Sequence, residues 1–470
     1  DGSSKFRYND DRWGVFWSVG GAWRISAEPW AADATWLTDL KLRADYGVIG
    51  NQNGIGPYSG YQTWSYSATG YTTPGSYSPA GWKLSQNGFT TPLTWEKKKT
   101  VDVGLDFRLW DRFYGTMDWY QTNTDDVAWN APISYAMSGQ TILAANSARM
   151  RTRGFELELG VDIIKTPNTL WSFNVNGSTY YTTILEVPEG TGSAQLNGCW
   201  TAPADAWSIA GTGGTSNNIT YLRGIGKPYY NMYIYKYGGV DPASGLPLIA
   251  STVSSTNIDN LKKTSGNVYG DIVEGNTVYT TDYTLATRQE FGDATPDFIG
   301  GFGTSLKWKN LDFSAQFAFQ IGGKFFSNSY ALYYYDDTTP GYLVSEDLRN
   351  NTWTATNTSA KYPMMMYANP NGDSYTYGAS IGSWAYTDMS LFDASYLSVK
   401  NITVGYNFPQ KWMDKIGIGG IRVYASLDNM WLITSKSGID PRQSLVGGME
   451  VGAMGYPQMR TCSLGVNVTF

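Results

Sequence analysis

Residues 464–470, Leu-Gly-Val-Asn-Val-Thr-Phe, decide the fold class. Leu464, Val466, Val468 and Phe470 alternate with small or polar residues, and the run ends on an aromatic side chain. A two-residue period places all the apolar side chains on one face of a strand. An alternating strand that ends in this way is typical of bacterial outer-membrane β-barrels. The stretch therefore predicts an all-β, transmembrane, antiparallel β-barrel.

The composition agrees with a barrel better than with membrane helices. Of the 470 residues 42% are hydrophobic, and none of the apolar runs approaches the length of a membrane helix. A barrel strand exposes only every second side chain to lipid, so a membrane chain of this kind can remain hydrophilic on average. Aromatic residues reach 15%, with 35 Tyr and 19 Trp. That excess fits interfacial girdles together with a surface on which ligands stack.

Charge and chemistry-bearing residues exclude several function classes. The chain has 34 Lys and Arg against 40 Asp and Glu, with no long block of either sign, which disfavours a nucleic-acid partner. It has no His and only Cys199 and Cys462, so it supplies no His-based triad, no His/Cys zinc site and no haem ligand. The two cysteines either pair or remain free thiols. We expect no enzyme activity and no cofactor.

Alternating segments recur along the whole chain, and we count eleven. They cover residues 13–25, 40–48, 101–109, 113–127, 155–163, 171–181, 298–308, 311–321, 396–408, 421–433 and 460–470. In the ninth segment the apolar positions change from odd, at Val399, to even, at Ile402. This change predicts a β-bulge at Lys400 and Asn401.

The connections between these segments alternate in length. Residues 110–112, 165–168 and 309–310 are tight turns, and residues 27–38 and 409–420 are modest ones. Between them lie residues 49–93, 184–297 and 323–395, which are far longer than ordinary loops. Short turns on one rim and long loops on the other distinguish an outer-membrane barrel from a soluble sandwich. The long loops are therefore expected to face outward.

The same alternation predicts that the barrel is incomplete. A strand that enters a short turn runs toward the periplasm, and the first and the last segment both do so. Single-chain bacterial barrels have even strand numbers, so eleven strands of this kind cannot close. We expect residues 1–470 to be the C-terminal part of a larger barrel, preceded by further strands and interrupted within an outward loop before Asp1.

A set of motifs occurs in order along nearly the whole chain. They are residues 40–52 (LKLRADYGVIGNQ), 93–97 (LTWEK), 103–107 (VGLDF), 154–157 (GFEL), 235–242 (YKYGGVDP), 400–406 (KNITVGY) and 438–441 (GIDP). The set shows a resemblance to one known family, the SusC/RagA-type TonB-dependent outer-membrane transporters of Bacteroidetes. It implies a 22-stranded barrel of which this chain supplies the last eleven strands. It places the N-terminal plug and the TonB-binding segment outside this chain.

The resemblance implies active import. A SusD-like surface lipoprotein would cover the barrel, TonB would act on the plug, and oligosaccharides or oligopeptides would be taken up across the outer membrane. Two other functions remain open on the sequence alone. A passive porin would need neither plug nor lid, and a surface glycan-binding protein or adhesin would need only the aromatic loops.

Aromatic clusters in the long loops are candidates for contacting the substrate or the lid. Aromatic rings stack on sugar faces and apolar side chains, and neighbouring carboxylates bind hydroxyl groups. The alternative is that these residues pack the loops against one another. The candidates are Trp64, Tyr66, Tyr229, Tyr230, Tyr233, Tyr333, Tyr334, Tyr335, Asp336, Asp337, Trp384 and Tyr386.

Three further groups have a functional and a structural interpretation. Loop aspartates such as Asp241 and Asp440 could bind calcium, although Asp241 equally fits a turn. Carboxylates at alternating positions could form a glycosidase pair, but in a barrel they fit the polar lumen wall better. The members of this second group are Asp102, Asp106, Glu156, Glu158 and Asp162. Residues 364–366, three methionines, fit loop packing better than metal binding.

Overall fold

The computed structural model describes most of the chain, and every structural statement below concerns these residues. The described residues are 1–6, 9–31, 33–53, 55–56, 64–67, 81–84, 93–132, 142–188, 195–196, 199–203, 220–251, 272–274, 277–280, 286–335, 345–364, 385–444, 447–448, 450 and 457–470. In this part of the chain no helix is both long and apolar enough to cross a membrane.

The secondary structure is almost entirely strand. The three α-helices in the described part of the chain are short: α1 (Asn9–Arg12), α2 (Asn328–Tyr335) and α3 (Gln410–Ile416). The strands are β1 (Trp17–Arg24), β2 (Leu37–Asn51), β3 (Trp64–Ser67), β4 (Gly81–Leu84), β5 (Glu96–Leu109), β6 (Phe113–Pro132), β7 (Ile142–Thr166), β8 (Thr169–Glu186), β9 (Gln195–Leu196), β10 (Cys199–Pro203), β11 (Thr220–Gly224), β12 (Asn231–Tyr235), β13 (Tyr237–Val240), β14 (Pro247–Ser251), β15 (Ile272–Glu274), β16 (Thr277–Thr280), β17 (Arg288–Asp293), β18 (Phe298–Trp308), β19 (Leu311–Ile321), β20 (Lys324–Phe326), β21 (Leu391–Asp393), β22 (Tyr396–Asn407), β23 (Gly420–Thr434) and β24 (Thr461–Thr469).

One large sheet contains the eleven predicted strands. Its order is β1-β2-β5-β6-β7-β8-β18-β19-β22-β23-β24, and each strand pairs antiparallel with the next. The eleven-strand prediction is confirmed, with one difference at the start. The predicted first run begins at Trp13, whereas β1 begins at Trp17, because Trp13 instead forms an isolated bridge with Gly2.

The two rims of this sheet differ as predicted. Residues 110–112, 167–168 and 309–310 form tight turns on one rim, and residues 25–36 and 408–419 form modest connections there. Lys309 has a positive φ of 51°, which a two-residue hairpin turn requires even of a non-glycine residue. Every second connection reaches the opposite rim, and these include residues 52–95, 187–297 and 322–395.

The predicted bulge is confirmed. The pairing of β19 with β22 runs from Phe317–Val399 directly to Gln316–Asn401, so that Lys400 is the extra residue. The pairing of β22 with β23 is irregular at the same place. Because Lys400 is extra, the apolar residues at odd positions before it and at even positions after it lie on the same face of the sheet.

The sheet has an apolar and a polar face. Val103, Trp119 and Phe155 lie side by side on β5, β6 and β7 and are exposed, as a lipid-facing surface requires. The opposite face carries the carboxylates, which confirms the predicted assignment of faces. Exposed tryptophans collect at the short-turn rim, as in a membrane-interface girdle. They include Trp23, Trp30, Trp36, Trp110, Trp308 and Trp412.

Among the described residues, the largest cluster of buried hydrophobic side chains lies in the long loops rather than in the barrel sheet. Met232 and Ile249, from the connection 187–297, are buried together with Phe326 and Ala331, from the connection 322–395. Smaller sheets support this core, with orders β17-β12-β11-β10-β9, β13-β14-β16-β15 and β20-β21. Residues 435–460 join it through two backbone hydrogen bonds. The Phe326 N–H donates to the Gly448 carbonyl, and the Glu450 N–H donates to the Phe326 carbonyl. We call this unit the loop assembly.

Candidate functional site

An ion-pair network occupies the polar face of β2, β5 and β6. The Arg43 guanidinium lies 3.5 Å from a carboxylate oxygen of Asp102 and 3.4 Å from one of Asp106, and it also pairs with Asp118. The Lys41 ammonium adds a contact of 3.2 Å with Asp106. Two cations thus bridge three carboxylates across neighbouring strands, which fixes this part of the wall in one arrangement.

Gly104 makes the network possible. It lies between Arg43 and Asp118 in the strand register. A Cβ atom at Gly104 would collide with the side chains of both residues. The glycine therefore opens the space through which the guanidinium of β2 reaches the carboxylate of β6 across β5.

A second ion pair joins β19 and β23 on the same face. Arg422 donates to both oxygens of Asp312, at 3.1 and 2.5 Å, and the Asn407 amide donates to one of them at 3.0 Å. This fork geometry orients both side chains more strongly than a single contact does. The polar face is therefore a wall with fixed charges.

Between these groups the polar face forms an open pocket of about 520 Å³. Glu156 and Glu158 of β7 line it together with Asp118, Asn176 and Tyr396. Among the described residues neither glutamate forms an ion pair. Its carboxylate and amide groups can bind hydroxyl groups or cations, and Leu157 and Ile299 add apolar surface to the lining.

Tyrosines and an arginine join the loop assembly to the top of the barrel. The Tyr229 and Tyr230 rings meet edge to face with centroids 4.9 Å apart, and Tyr230 meets Tyr221 in the same way at 5.5 Å. The Arg223 guanidinium lies 3.9 Å from the Tyr229 ring centroid and 5.9 Å from that of Trp129 in β6. These contacts hold the connection 187–297 against the barrel strand.

A buried polar contact joins two of the long connections. Asp388 accepts a hydrogen bond of 2.7 Å from the backbone N–H of Tyr237, and the Tyr237 hydroxyl donates to the Lys361 carbonyl at 3.1 Å. Burial raises the pKa of the Asp388 carboxyl, and it also raises the pKa of the Tyr237 hydroxyl. Partial burial of a carboxylate with few donors opposes the charged form.

A second cavity lies within the loop assembly, where residues 322–395 meet residues 435–460. Its volume is about 530 Å³, and Tyr330, Gln443 and Glu450 contribute to its lining. Lys436 crosses it, 3.1 Å from Asp347 and 5.5 Å from the Tyr330 ring centroid. An aromatic ring surrounded by amide, hydroxyl and charged groups suits a ligand with both apolar and hydrogen-bonding surfaces.

The structure places the sequence-predicted loop residues in different surroundings. Tyr230 packs against the core of the loop assembly, and Tyr386 is buried in it, stacked on Phe326 with centroids 6.4 Å apart. Tyr229 stacks with Arg223, whereas Tyr233 pairs with Thr220 and Glu290 inside a small sheet. Tyr230 and Tyr386 thus contribute to the packing of the loops, and the contact of these four tyrosines with substrate or lid stays a prediction.

The other candidates are less fully described. For Trp64 and Tyr66 in β3, and for Tyr333, Tyr334 and Tyr335 in α2, the structure describes only the backbone. Asp336, Asp337 and Trp384 lie outside the described residues. Their proposed contact with substrate or lid stays a prediction.

The loop aspartates have local roles. Asp241 accepts hydrogen bonds from the backbone N–H groups of Ala243 and Ser244, both at 3.2 Å. Asp440 accepts from the backbone N–H and the guanidinium of Arg442, at 3.0 and 2.8 Å. Both carboxylates therefore close turns, and calcium binding on the loops stays a prediction. Cys462 is a free, exposed thiol.

Sequence reasoning missed the pair of Lys436 and Asp347 and the stacking of Arg223 on Tyr229. Each joins residues that lie far apart along the chain or in different elements, so no local spacing indicates it. For the stacking of Arg223, the sequence gives one indication, because Arg223 lies only a few residues before Tyr229 and Tyr230.

Comparison with known proteins finds relatives that are named TonB-dependent receptors. No family model matches it. TonB-dependent receptor P3 of Formosa agariphila is 27% identical over 481 aligned residues, which cover 100% of this chain and 43% of that protein. TonB-dependent receptor SusC of Bacteroides thetaiotaomicron is 26% identical over 474 residues, covering 100% of this chain and 41% of SusC. The chain thus spans less than half the length of these relatives.

Solved structures show the same fold. The RagAB peptide transporter matches with a TM-score of 0.69 and 23% identity, covering 100% of this chain and 45% of that chain. The RagAB peptide importer in its open-open state matches with a TM-score of 0.69 over 99% of this chain. The relatives are named receptors and transporters rather than enzymes, in agreement with the expectation of no catalysis. Along its whole length the chain is therefore similar in sequence to TonB-dependent receptors, SusC among them, and it shares the fold of the RagAB transporter structures.

Proposed function

We propose that this chain forms part of the wall and most of the outward loops of an active outer-membrane importer. The observation that carries the proposal is the loop assembly, which packs three long connections around one core beside a wall of fixed polar side chains. An open pore gains nothing from such a structure, whereas a gated importer needs loops that hold a cover and a wall that contacts a plug. A passive porin is therefore the weaker alternative.

The resemblance and the relatives support the remaining parts of the mechanism. Residues 1–470 would be the C-terminal part of the barrel, and the plug and the first strands would lie outside them. A SusD-like surface lipoprotein would close over the loop assembly, and TonB would supply energy through the plug. One relative's name includes SusC and one structural neighbour is titled a peptide transporter, so both substrate classes have support.

Oligosaccharides are the substrate class that we propose first. The cavity of about 530 Å³ combines the Tyr330 ring with amide, carboxylate and ammonium groups. Sugars present apolar faces to aromatic rings and hydroxyl groups to polar side chains. Oligopeptides are the alternative, because the same groups also bind peptide backbones.

The test is uptake of labelled oligosaccharides and oligopeptides by cells that lack the whole protein and by cells in which it is restored. Each strain is assayed with and without functional TonB. We expect uptake of oligosaccharide that requires both the protein and TonB. Uptake that persists without TonB would indicate a porin, and cell-surface binding without uptake would indicate an adhesin.

A cavity variant refines the test. Replacing Gln443 by Ala removes an amide group from the loop cavity, and replacing Asp347 by Asn removes the negative charge that pairs with Lys436. We expect a higher half-saturating substrate concentration with an unchanged amount of protein in the membrane. The matched control is Asp414→Asn on α3, at the opposite rim. Equal effects of the cavity and control variants would remove the cavity from the mechanism.

A further inference from the structure

The lipid-facing side of β5–β8 changes from apolar to charged within one row of side chains. The last apolar row is Val103, Trp119 and Phe155. Two residues farther toward the long loops, the cross-strand row contains Val101, Gln121, Arg153 and Tyr181, and the next contains Lys99, Asn123, Arg151 and Thr183. The period of two along a strand keeps all these side chains on the outer face.

This change lies at the height of a membrane surface. Ile164 pairs with Trp171 near the short-turn rim, and Phe155 is nine residues farther along β7. At about 3.3 Å per residue and a strand tilt of about 40°, the apolar band is roughly 23 Å tall, close to the ~25 Å band of outer-membrane barrels. Arg153 therefore lies one row above the band, at headgroup level.

On the outer face of β5–β7 above the apolar band, three of the five cations among the described residues have carboxylate partners. Such exposed pairs leave little net charge on the surface. The pairs are Lys99–Asp125 at 2.7 Å, Lys97–Asp126 at 2.9 Å and Arg149–Glu186 at 2.8 Å. The remaining two cations are Arg151 and Arg153, which we call the arginine pair.

The arginine pair is oriented but not neutralised. The Arg151 Nε donates to the Asn123 amide oxygen at 3.0 Å, and the Arg153 Nε donates to the Gln121 amide oxygen at 2.8 Å. Both acceptors are uncharged, and within the described residues neither arginine forms an ion pair. Holding the Nε leaves the terminal guanidinium nitrogens available. The two guanidinium groups lie on one strand two residues apart, a rise of about 7 Å.

We propose that the arginine pair binds the phosphate of an anionic lipid headgroup in the leaflet next to the long loops. A planar guanidinium binds phosphate through two parallel hydrogen bonds, and here two such groups are fixed side by side. The surface below them is the lipid-facing band, so the nearest anions in the membrane are headgroup phosphates. Tyr181, 48% exposed on the same face beside Arg153, supplies the amphipathic ring that is common at membrane interfaces.

The experiment measures which lipids remain bound to the whole protein. The purified protein is equilibrated with mixed micelles of phosphatidylglycerol and phosphatidylcholine, and native mass spectrometry counts retained lipids of each kind. We expect the wild-type protein to retain phosphatidylglycerol preferentially. A cation at an anionic bilayer surface strengthens binding by roughly fivefold, so R151Q/R153Q should reduce the preference by up to about thirtyfold.

Matched variants separate this site from general charge and from misfolding. R108Q/K307Q removes two cations from the inner face of β5 and β18 and should leave the preference unchanged. R151K/R153K keeps the charge but loses the fork geometry and should retain only part of the preference. Heat-modifiable migration on a gel identifies preparations in which the barrel has folded, and only those are compared.

Three outcomes would overturn the proposal. The first is equal retention of the two lipids by the wild-type protein. The second is an unchanged preference in folded R151Q/R153Q, or an equal loss in R108Q/K307Q. The third is displacement of phosphatidylglycerol by inorganic phosphate as readily as by added lipid, which would indicate a free-anion site instead.

Discussion

Val103 tests the assignment of the two sheet faces at a single residue. It is exposed on the outer face of β5, between Trp119 on β6 and Ala44 on β2. Val103→Arg places a charge in the apolar band, and we expect it to reduce the free energy of unfolding by about 2–4 kcal/mol. Urea unfolding of the whole protein in lipid bilayers measures this change.

The matched control is Asp102→Asn, one residue away on the inner face. Its carboxylate makes a single long contact with Arg43, so we expect a change within about 1 kcal/mol. Similar losses in the two variants would mean that the faces are assigned wrongly.

Gly104 gives a second prediction at this scale. Gly104→Ala adds a methyl group where the Arg43 and Asp118 side chains meet, and we expect a loss of about 1–3 kcal/mol of stability. In an Arg43→Ala background the methyl group has more room, so the same substitution should cost less. A double-mutant cycle on unfolding free energies measures the difference. An additive result would separate Gly104 from the ion-pair network.

Lys400 tests the role of the bulge at the scale of one strand. Deleting Lys400 joins Val399 directly to Asn401, and every apolar side chain of β22 keeps its face. Deleting Thr403 instead turns the apolar residues on one side of the deletion into the lumen, at a cost of several kcal/mol. We expect the first deletion to yield folded, heat-modifiable protein in the membrane and the second to yield little. Equal yields from the two deletions would contradict the bulge assignment.

Asp388 makes the loop assembly sensitive to pH. Because burial raises its pKa, the folded loops bind a proton more readily than the unfolded chain does. This group therefore stabilises the loops as the pH falls toward its unfolded pKa and destabilises them as the pH rises through its folded pKa. Asp388→Asn should strengthen the loops at neutral pH and remove this pH dependence.

Hydrogen exchange of β12–β14 across acidic and neutral pH measures the effect. The control is Asp393→Asn on β21. The hydrogen bond from Ser395 lowers the pKa of the Asp393 carboxyl, so its contribution to loop stability changes with pH in the opposite direction. Faster exchange in Asp388→Asn at neutral pH would contradict the prediction.

At the scale of the whole molecule, the sequence predicted the barrel sheet well and the loop assembly poorly. Strand patterns such as Val103 to Phe107 repeat every two residues, and each strand pairs with the next alternating segment, so local information is enough. The contacts of Tyr230, Phe326 and Gly447 instead join three connections that lie far apart along the chain. Their packing depends on tertiary contacts between distant residues, and a periodic sequence pattern does not indicate such contacts.

The alternation of short and long connections also bears on assembly and on divergence. β18 and β19 meet across residues 309–310, whereas β8 and β18 meet only after residues 187–297. Closing the longer connection costs about 3–4 kcal/mol more in chain entropy, so the tight hairpins should form first and the strand pairs joined by long connections last.

Doubling the length of a long connection adds only about 0.6 kcal/mol to this entropic cost. Insertions in the gene can therefore accumulate on one rim, while the other rim tolerates almost none.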